Sequence, residues 1–314
     1  MTHYKFLRNK KKGGGLNSTN ALISGNGPSL KNIDYSLLPD SYDIFRCNQF
    51  YFEDRYFLGK RCDFAFLNSG VALEQYLTFK TLEEKDEYII KNIVLSNLCL
   101  SKFEVEELKN IKKIFFPDVE DGYETYSKLK DFDTFVKFNE TYKNNRITSG
   151  IYMCAYAIAK GYKNIYLTGI DFYSKEVDYY AFDTKKKNLT TIINNFKTDH
   201  YKFSYHKEYF DVEALIFLKN NYDVNFICIS PNSLLDKHLR DKNIHTEPKK
   251  NEECKFTPSN KPKNYTNDII MPSQEARKRY LIATNHLIAI GSDFKKFTKQ
   301  QIRKLLVKLG LNLT

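Results

Sequence analysis

The feature that most constrains this chain is a short apolar run that stops at glycine. Ala21-Leu22-Ile23-Ser24 leads into Gly25-Asn26-Gly27-Pro28-Ser29. A run this short suits a buried strand better than a helix, and the glycines mark a loop at its end. Comparable runs recur at residues 43–47, 64–67, 93–95, 114–116, 165–168 and 224–229. Helical stretches lie between several of them. Residues 152–159 form one, with Gly161 fitting as its C-cap. Residues 211–218 form another, with Asp211 placed to cap its start. Strands alternating with helices predict an α/β fold: a mainly parallel sheet with helices on both faces.

The 314 residues are enough for one substantial core and a smaller appendage. Residues 1–20 read as a flexible basic leader, and the folded domain is expected over 21–244. Within it, residues 172–206 are polar and aromatic without sustained period, which suits a lid. Residues 245–270 read as an irregular linker, and 271–314 as a basic C-terminal helical tail.

Net charge is +11, and residues 275–314 alone hold nine Lys or Arg against two acidic residues. Over 294–309, apolar residues follow helical spacing beside Lys295, Lys299 and Arg303, the pattern of a basic amphipathic helix. Such a tail suits peripheral contact with an anionic membrane, or packing on the domain with its lysines in solvent. No nucleic-acid partner is expected. The six cysteines form no Cys-x-x-Cys pair and several sit in apolar runs, so they read as reduced, buried thiols. With no secretory signal and no run of eighteen apolar residues, a cytoplasmic protein is expected, peripheral at most to the inner membrane.

Residues able to carry chemistry cluster after the strands. Gly25, Asn26 and Gly27 can bring backbone close to a phosphate, or can form a plain turn. Asn48 and Gln49 follow the second run, and Asn68, with Gln75 downstream, follows the third. Open α/β sheets bind ligands at strand C-terminal ends, although amides also cap loops. Arg146 precedes Thr148 and Ser149, either of which can cap the helix that follows. Gly169, Asp171, Phe172 and Tyr173 follow the run at 165–168, and Tyr180 and His206 lie further along the irregular stretch. The Asp131-Phe132-Asp133 letters fall in a polar, helical stretch far from the glycine loop, so no metal site and no cofactor are expected.

Four stretches, in this order and spacing, resemble the bacterial sialyltransferases of glycosyltransferase family 42: Gly25 to Lys31, Phe45 to Asp54, Arg146 to Gly150 and Gly169 to Tyr173. The likeness runs from about residue 21 to 235. It implies a Rossmann-like catalytic domain of GT-A variant type, with a lid over a nucleotide-sugar donor, CMP-sialic acid. The reaction would invert the anomeric carbon without metal. The acceptor would be a galactose- or sialic-acid-terminated glycan of lipooligosaccharide type, with α-2,3 or α-2,8 linkage. Asn26 and its loop, Gly169, Asp171 and Phe172 would contact CMP. Asn48, Asn68, Gln75, Thr148 and Ser149 would contact the donor sugar or phosphate. Tyr173 and Tyr180 would donate to the leaving phosphate, His206 would be the general base, and Arg146 would support the site. A homo-oligomer, often a tetramer, is also implied. His206-Lys207-Glu208 departs from the family's usual His-Ser-Lys, and the spacing to Asp211 favours His206 over His200. Two other readings stay open: a different CMP-linked nonulosonic acid as donor, and a non-catalytic nucleotide- or membrane-binding module.

Overall fold

The computed structural model describes residues 18–96, 111–173, 180–184, 187–192, 206–251, 253–254 and 256–283. Seven parallel strands form the central sheet. In chain order they are β1 (Asn20–Ser24), β2 (Asp43–Cys47), β4 (Arg61–Asn68), β5 (Ile89–Ser96), β6 (Val119–Asp121), β7 (Asn164–Thr168) and β8 (Asn225–Cys228). Their spatial order is β6-β5-β4-β2-β1-β7-β8. A separate two-stranded ribbon pairs β3 (Arg55–Tyr56) with β9 (Ser259–Asn260). Through β9 the irregular stretch after residue 245 packs back onto the domain.

From β1 the chain builds outward through β2, β4, β5 and β6, then returns to place β7 and β8 on the other side of β1. The order therefore reverses between β1 and β7. Open parallel sheets leave a ligand crevice at such a switch point, beyond the strands' C-terminal ends. The period-two pattern of β1 divides the core. Ala21 and Ile23 face α5 (Ser149–Lys160) and α7 (Glu208–Asn221), while Leu22 packs with Leu37, Leu58 and Ile229. On the opposite face, under the outer strands, lies α1 (Ala72–Glu84). The first core is largely aromatic. Phe45 stacks on Phe64 at 4.6 Å, and Phe66 meets Tyr156 edge-on at 5.1 Å. From Gly150 to Ala157 every residue of α5 is buried, because the helix is covered by the sheet on one side and by α7 and α3 (Gly122–Tyr126) on the other, with α4 (Lys130–Lys143) packed on α7.

The strand expected at 114–116 is instead helical. α2, described over 111–115, places Ile111 against the core and leaves Ile114 68% exposed, a helical face that a single apolar triplet does not reveal. The actual strand is β6, whose Val119-Glu120-Asp121 carries one buried apolar residue. Asp211 is not a cap: α7 starts at Glu208, so Asp211 lies inside its first turn. Gly161 does end α5, at φ +99°. Asp131-Phe132-Asp133 falls on the helix α4, as expected. The described cysteines Cys47, Cys62, Cys154, Cys228 and Cys254 are free thiols. A further helix, α9, is described over 274–283, and its Tyr280 packs on Phe115 and Phe116. The amphipathic pattern at 294–309, and Cys99 and His200, lie outside the described residues. Among the described residues no helix is long and apolar enough to cross a membrane.

The turns after β1 and β7 touch without room for a side chain. A Cβ on Gly25 would overlap the Gly169 carbonyl, and one on Gly27 would overlap the Asp171 carboxylate. Gly25→Ala should therefore cost about 1–3 kcal/mol or more of folding stability, the range for forced overpacking. Urea unfolding of the variant measures it, and a loss below the experimental error would contradict the packing.

Candidate active site

The crevice floor is held by backbone. The Gly25 amide donates to Thr168 O at 3.0 Å and the Gly27 amide to Gly169 O at 2.8 Å. Gly169 adopts φ +65°, and its own Cβ would meet Gly25 O. Asp171 is then fixed from the other loop: the Ser29 amide and hydroxyl both donate to Oδ2, at 3.0 and 2.8 Å. Burial pushes the Asp171 carboxyl up, and the two Ser29 donors oppose that by favouring the anion. The glycines of the first loop are thus required by the neighbouring loop, whatever ligand the crevice takes.

Three links carry this arrangement sideways. Asn26 Nδ2 donates to Cys47 O at 3.0 Å, while its buried Oδ1 has no partner among the described residues. Asn48, at φ +55°, is tied to β4 through its amide to Phe66 O, and its Nδ2 reaches Ser149 Oγ at 3.4 Å. Ala181 donates its amide to Asn26 O at 2.8 Å, which draws residues 180–184 over the first loop. Asn68 and Gln75 sit farther out along the sheet edge and bond each other, Asn68 N donating to Gln75 Oε1 at 2.7 Å. Gln75 is fully buried, and its Nε2 is without a partner among the described residues. Gln49 is buried at the start of the short turn Phe50–Phe52.

Behind Asn48 and Gln49, Arg46 forms a buried ion pair with Glu53. Lys261, from the stretch expected to be a linker, donates to Tyr51 O at 2.9 Å beside that pair. Burial lowers the Lys261 ammonium to about 7, against the pull of Glu53. Arg46 and Glu53 lie within the quoted motif, but nothing in a linear reading joins them to Lys261.

On the far side of the crevice, the expected base and its support come together. His206 Nδ1 lies 2.9 Å from Arg146 O. A carbonyl only accepts, so Nδ1 carries the proton and Nε2 is the basic nitrogen of the neutral ring. Burial lowers the imidazole to about 4, and the nearby Arg146 charge acts in the same direction. Arg146 itself pairs with Glu140 at 2.6 Å. Thr148 occupies the N-cap position of α5 without a side-chain capping bond. It spends its amide and hydroxyl on Asp211, at 2.9 and 2.7 Å. Burial raises the Asp211 carboxyl to about 7, with Thr148 opposing. Reading Asp211 as a cap missed this role, because a cap and a buried anchor look alike in sequence.

The aromatic residues complete the wall. The Tyr173 ring lies 6.3 Å from the His206 ring and 6.4 Å from Tyr180, and Tyr180 stacks on Phe182 at 5.4 Å. Phe172 meets the His238 ring edge-on at 5.5 Å. Phe172 and Tyr173 both have positive φ, +54° and +55°, a conformation that costs about 1–3 kcal/mol per non-glycine residue and is concentrated at functional sites. Among the described residues no group of His, Cys, Asp and Glu could hold a metal ion.

A parallel sheet with its crevice at the β1–β7 reversal, walled by tyrosines and a histidine, has the Rossmann-like architecture of nucleotide-binding enzymes. The chain belongs to the alpha-2,3-sialyltransferase (CST-I) family, which matches residues 19–313. That span extends well past residue 235 and takes in the basic tail. The monofunctional alpha-2,3-sialyltransferase Cst-I from Campylobacter jejuni is 44% identical, with a TM-score of 0.77 over 88% of this chain and 96% of that one. CstII from Campylobacter jejuni, in complex with the substrate analogue CMP-3FNeuAc, is 46% identical, with a TM-score of 0.76 over 85% of this chain and 99% of that one. An uncharacterized protein of Haemophilus influenzae is 37% identical over 207 residues, 63% of this chain and 83% of its own length. The chain is accordingly a sialyltransferase.

The depressed imidazole sets a pH dependence. Between about 6.5 and 4 the unfolded chain binds a proton at this histidine and the folded chain does not, so His206 makes stability fall as pH falls through that window. A nitrogen-15 NMR titration should show His206 neutral and Nδ1-protonated at pH 6. A ring half-protonated at or above 6.5 would contradict the burial.

Proposed function

We propose that the enzyme moves sialic acid from CMP-sialic acid to a galactose or sialic acid hydroxyl, with inversion and without a divalent ion. The observation that carries this reading is the hydrogen bond from His206 Nδ1 to Arg146 O, because it leaves Nε2 as the basic nitrogen beside the tyrosine wall. The similarity to CstII, solved with a CMP-sugar analogue, supports the donor class.

In this scheme the acceptor hydroxyl attacks the anomeric carbon and passes its proton to His206 Nε2. The carbon–phosphate oxygen bond breaks, and CMP leaves with the bonding pair. Tyr173 and Tyr180 donate hydrogen bonds to the phosphate as its charge grows, which takes the part that a metal plays elsewhere. Asn26, Gly169, Asp171 and Phe172 bind the nucleotide. Asn48, Asn68, Gln75, Thr148 and Ser149 bind the donor sugar or its phosphate. Since Thr148 gives its amide and hydroxyl hydrogens to Asp211, it faces a ligand only as an acceptor. Arg146 contributes through its backbone carbonyl, with its guanidinium held by Glu140.

A base near 4 is weak, and the donor corrects this: its phosphate and carboxylate are anions that favour the imidazolium. The acid limb of kcat/KM for the donor, which reports free enzyme, should therefore lie below the acid limb of kcat, which reports the complex. Identical limbs would count against donor-tuned basicity. His206→Ala should lower transfer to a lactose-type acceptor by about 100-fold or more, and a folded variant with normal turnover sinks the base assignment. EDTA should leave the rate unchanged. A loss of about tenfold or more that Mg²⁺ restores would overturn metal independence.

The basic tail belongs to the same reading as a peripheral membrane contact near a lipid-linked acceptor, in a homo-oligomer. In its described part, Tyr280 packs on the domain while Leu281 and Ile282 stay exposed. Co-sedimentation with anionic vesicles tests the contact, and equal binding by a chain ending at Asn267 would refute it.

A further inference from the structure

We infer that Asp211 is a positioning residue for the base: it locks the segment bearing the Arg146 carbonyl to the helix start that follows His206. The inference rests on the reading of His206 as general base.

Four hydrogen bonds join residues 145–148 to residues 206–211. They are Asn145 Nδ2 to Tyr209 OH at 2.8 Å, His206 Nδ1 to Arg146 O at 2.9 Å, and the amide and hydroxyl of Thr148 to the two oxygens of Asp211 at 2.9 and 2.7 Å. The strips run side by side like rungs of a ladder. The rungs differ in strength. Tyr209 is more than half exposed, so its bond competes with water, and the His206 bond joins two neutral groups. Asp211 is 1% exposed and takes two donors on a carboxylate, the strongest class of hydrogen bond present here. It also lies in the first turn of α7 while holding the N-cap residue of α5, so the N-terminal dipole ends of both helices and the two Thr148 donors favour its negative form against the burial that raises the carboxyl to about 7.

The consequence falls on the base. His206 lies five residues before Asp211, and its acceptor lies two before Thr148. When the Asp211 bonds hold, the Arg146 carbonyl is kept where it fixes both the tautomer and the ring direction. When they are lost, Nδ1 loses its fixed acceptor and the proton redistributes between the ring nitrogens. Both helices are also anchored by their buried apolar faces, and neither N-cap residue, Lys207 or Thr148, makes a side-chain capping bond.

A mutant cycle separates this role from plain stabilisation. Asp211→Asn keeps the shape and should lower kcat for transfer by about tenfold to 100-fold, the cost of a base displaced by about an ångström. Its KM for the donor should change by less than about threefold, as should CMP binding by calorimetry. In the His206→Ala background the same substitution should change kcat by no more than about twofold, because coupled residues are not additive. An equal loss in both backgrounds means that Asp211 does not act through the base and overturns the inference. So does an Asp211→Asn enzyme with full kcat. If His206→Ala alone keeps normal turnover, that corner of the cycle rejects the base reading itself, and the inference falls with it. Asp211→Ser carries the same cycle, should Asp211→Asn fail to fold.

Discussion

Everything in the crevice depends on two turns that meet with no side chain between them. Gly25 and Gly27 after β1 pack directly on Gly169 and Asp171 after β7. The strands are hydrogen-bonded neighbours, so their ends arrive together. Only because the turns close this tightly does the Asp171 carboxylate reach the Ser29 amide and hydroxyl. A bulkier turn on either side would separate the crevice floor from the wall that begins at Phe172. The reversal of strand order chooses the location, and the glycines make it usable.

From that floor, order spreads through polar contacts that each join two elements. Asn26 ties the first loop to the end of β2, Asn48 ties β2 to α5, and Asp211 ties α5 to α7. The donors and acceptors are mostly buried, where an unpaired group costs about 1–3 kcal/mol. The exceptions are informative. Asn26 Oδ1, just past β1, and Gln75 Nε2, in α1 beside the end of β4, are buried without a partner among the described residues. Under the proposed reading a bound donor would complete both groups.

Much of this was legible in the sequence because it is local. The strand runs, the glycine turns and the amides after β2 and β4 follow from period and punctuation alone. The parallel sheet follows from their alternation with helices. What escaped is what only folding assembles. The 114–116 triplet has the letters of a strand, yet its apolar neighbours Ile111 and Phe115 lie one helical turn apart. The strand that does form, Val119 to Asp121, has no apolar pattern, because an edge strand this short buries a single apolar side chain. Asp211 and Lys261 were invisible as site residues because their partners lie 63 and 210 positions away.

The histidine brings these scales together. Burial beside Arg146 is unfavourable for a base: it removes water and leaves a cation close by. Both effects keep the ring unprotonated. In the proposed reaction the donor would bring the negative charge that makes the ring basic, so basicity would arrive with the substrate. A base tuned in this way would not waste its lone pair on solvent protons when no donor is bound. It also demands a fixed ring direction, since a weak base gains nothing from a hydroxyl it does not face. The rigid strip from Asn145 to Thr148 supplies that direction, and a mobile lid histidine would not.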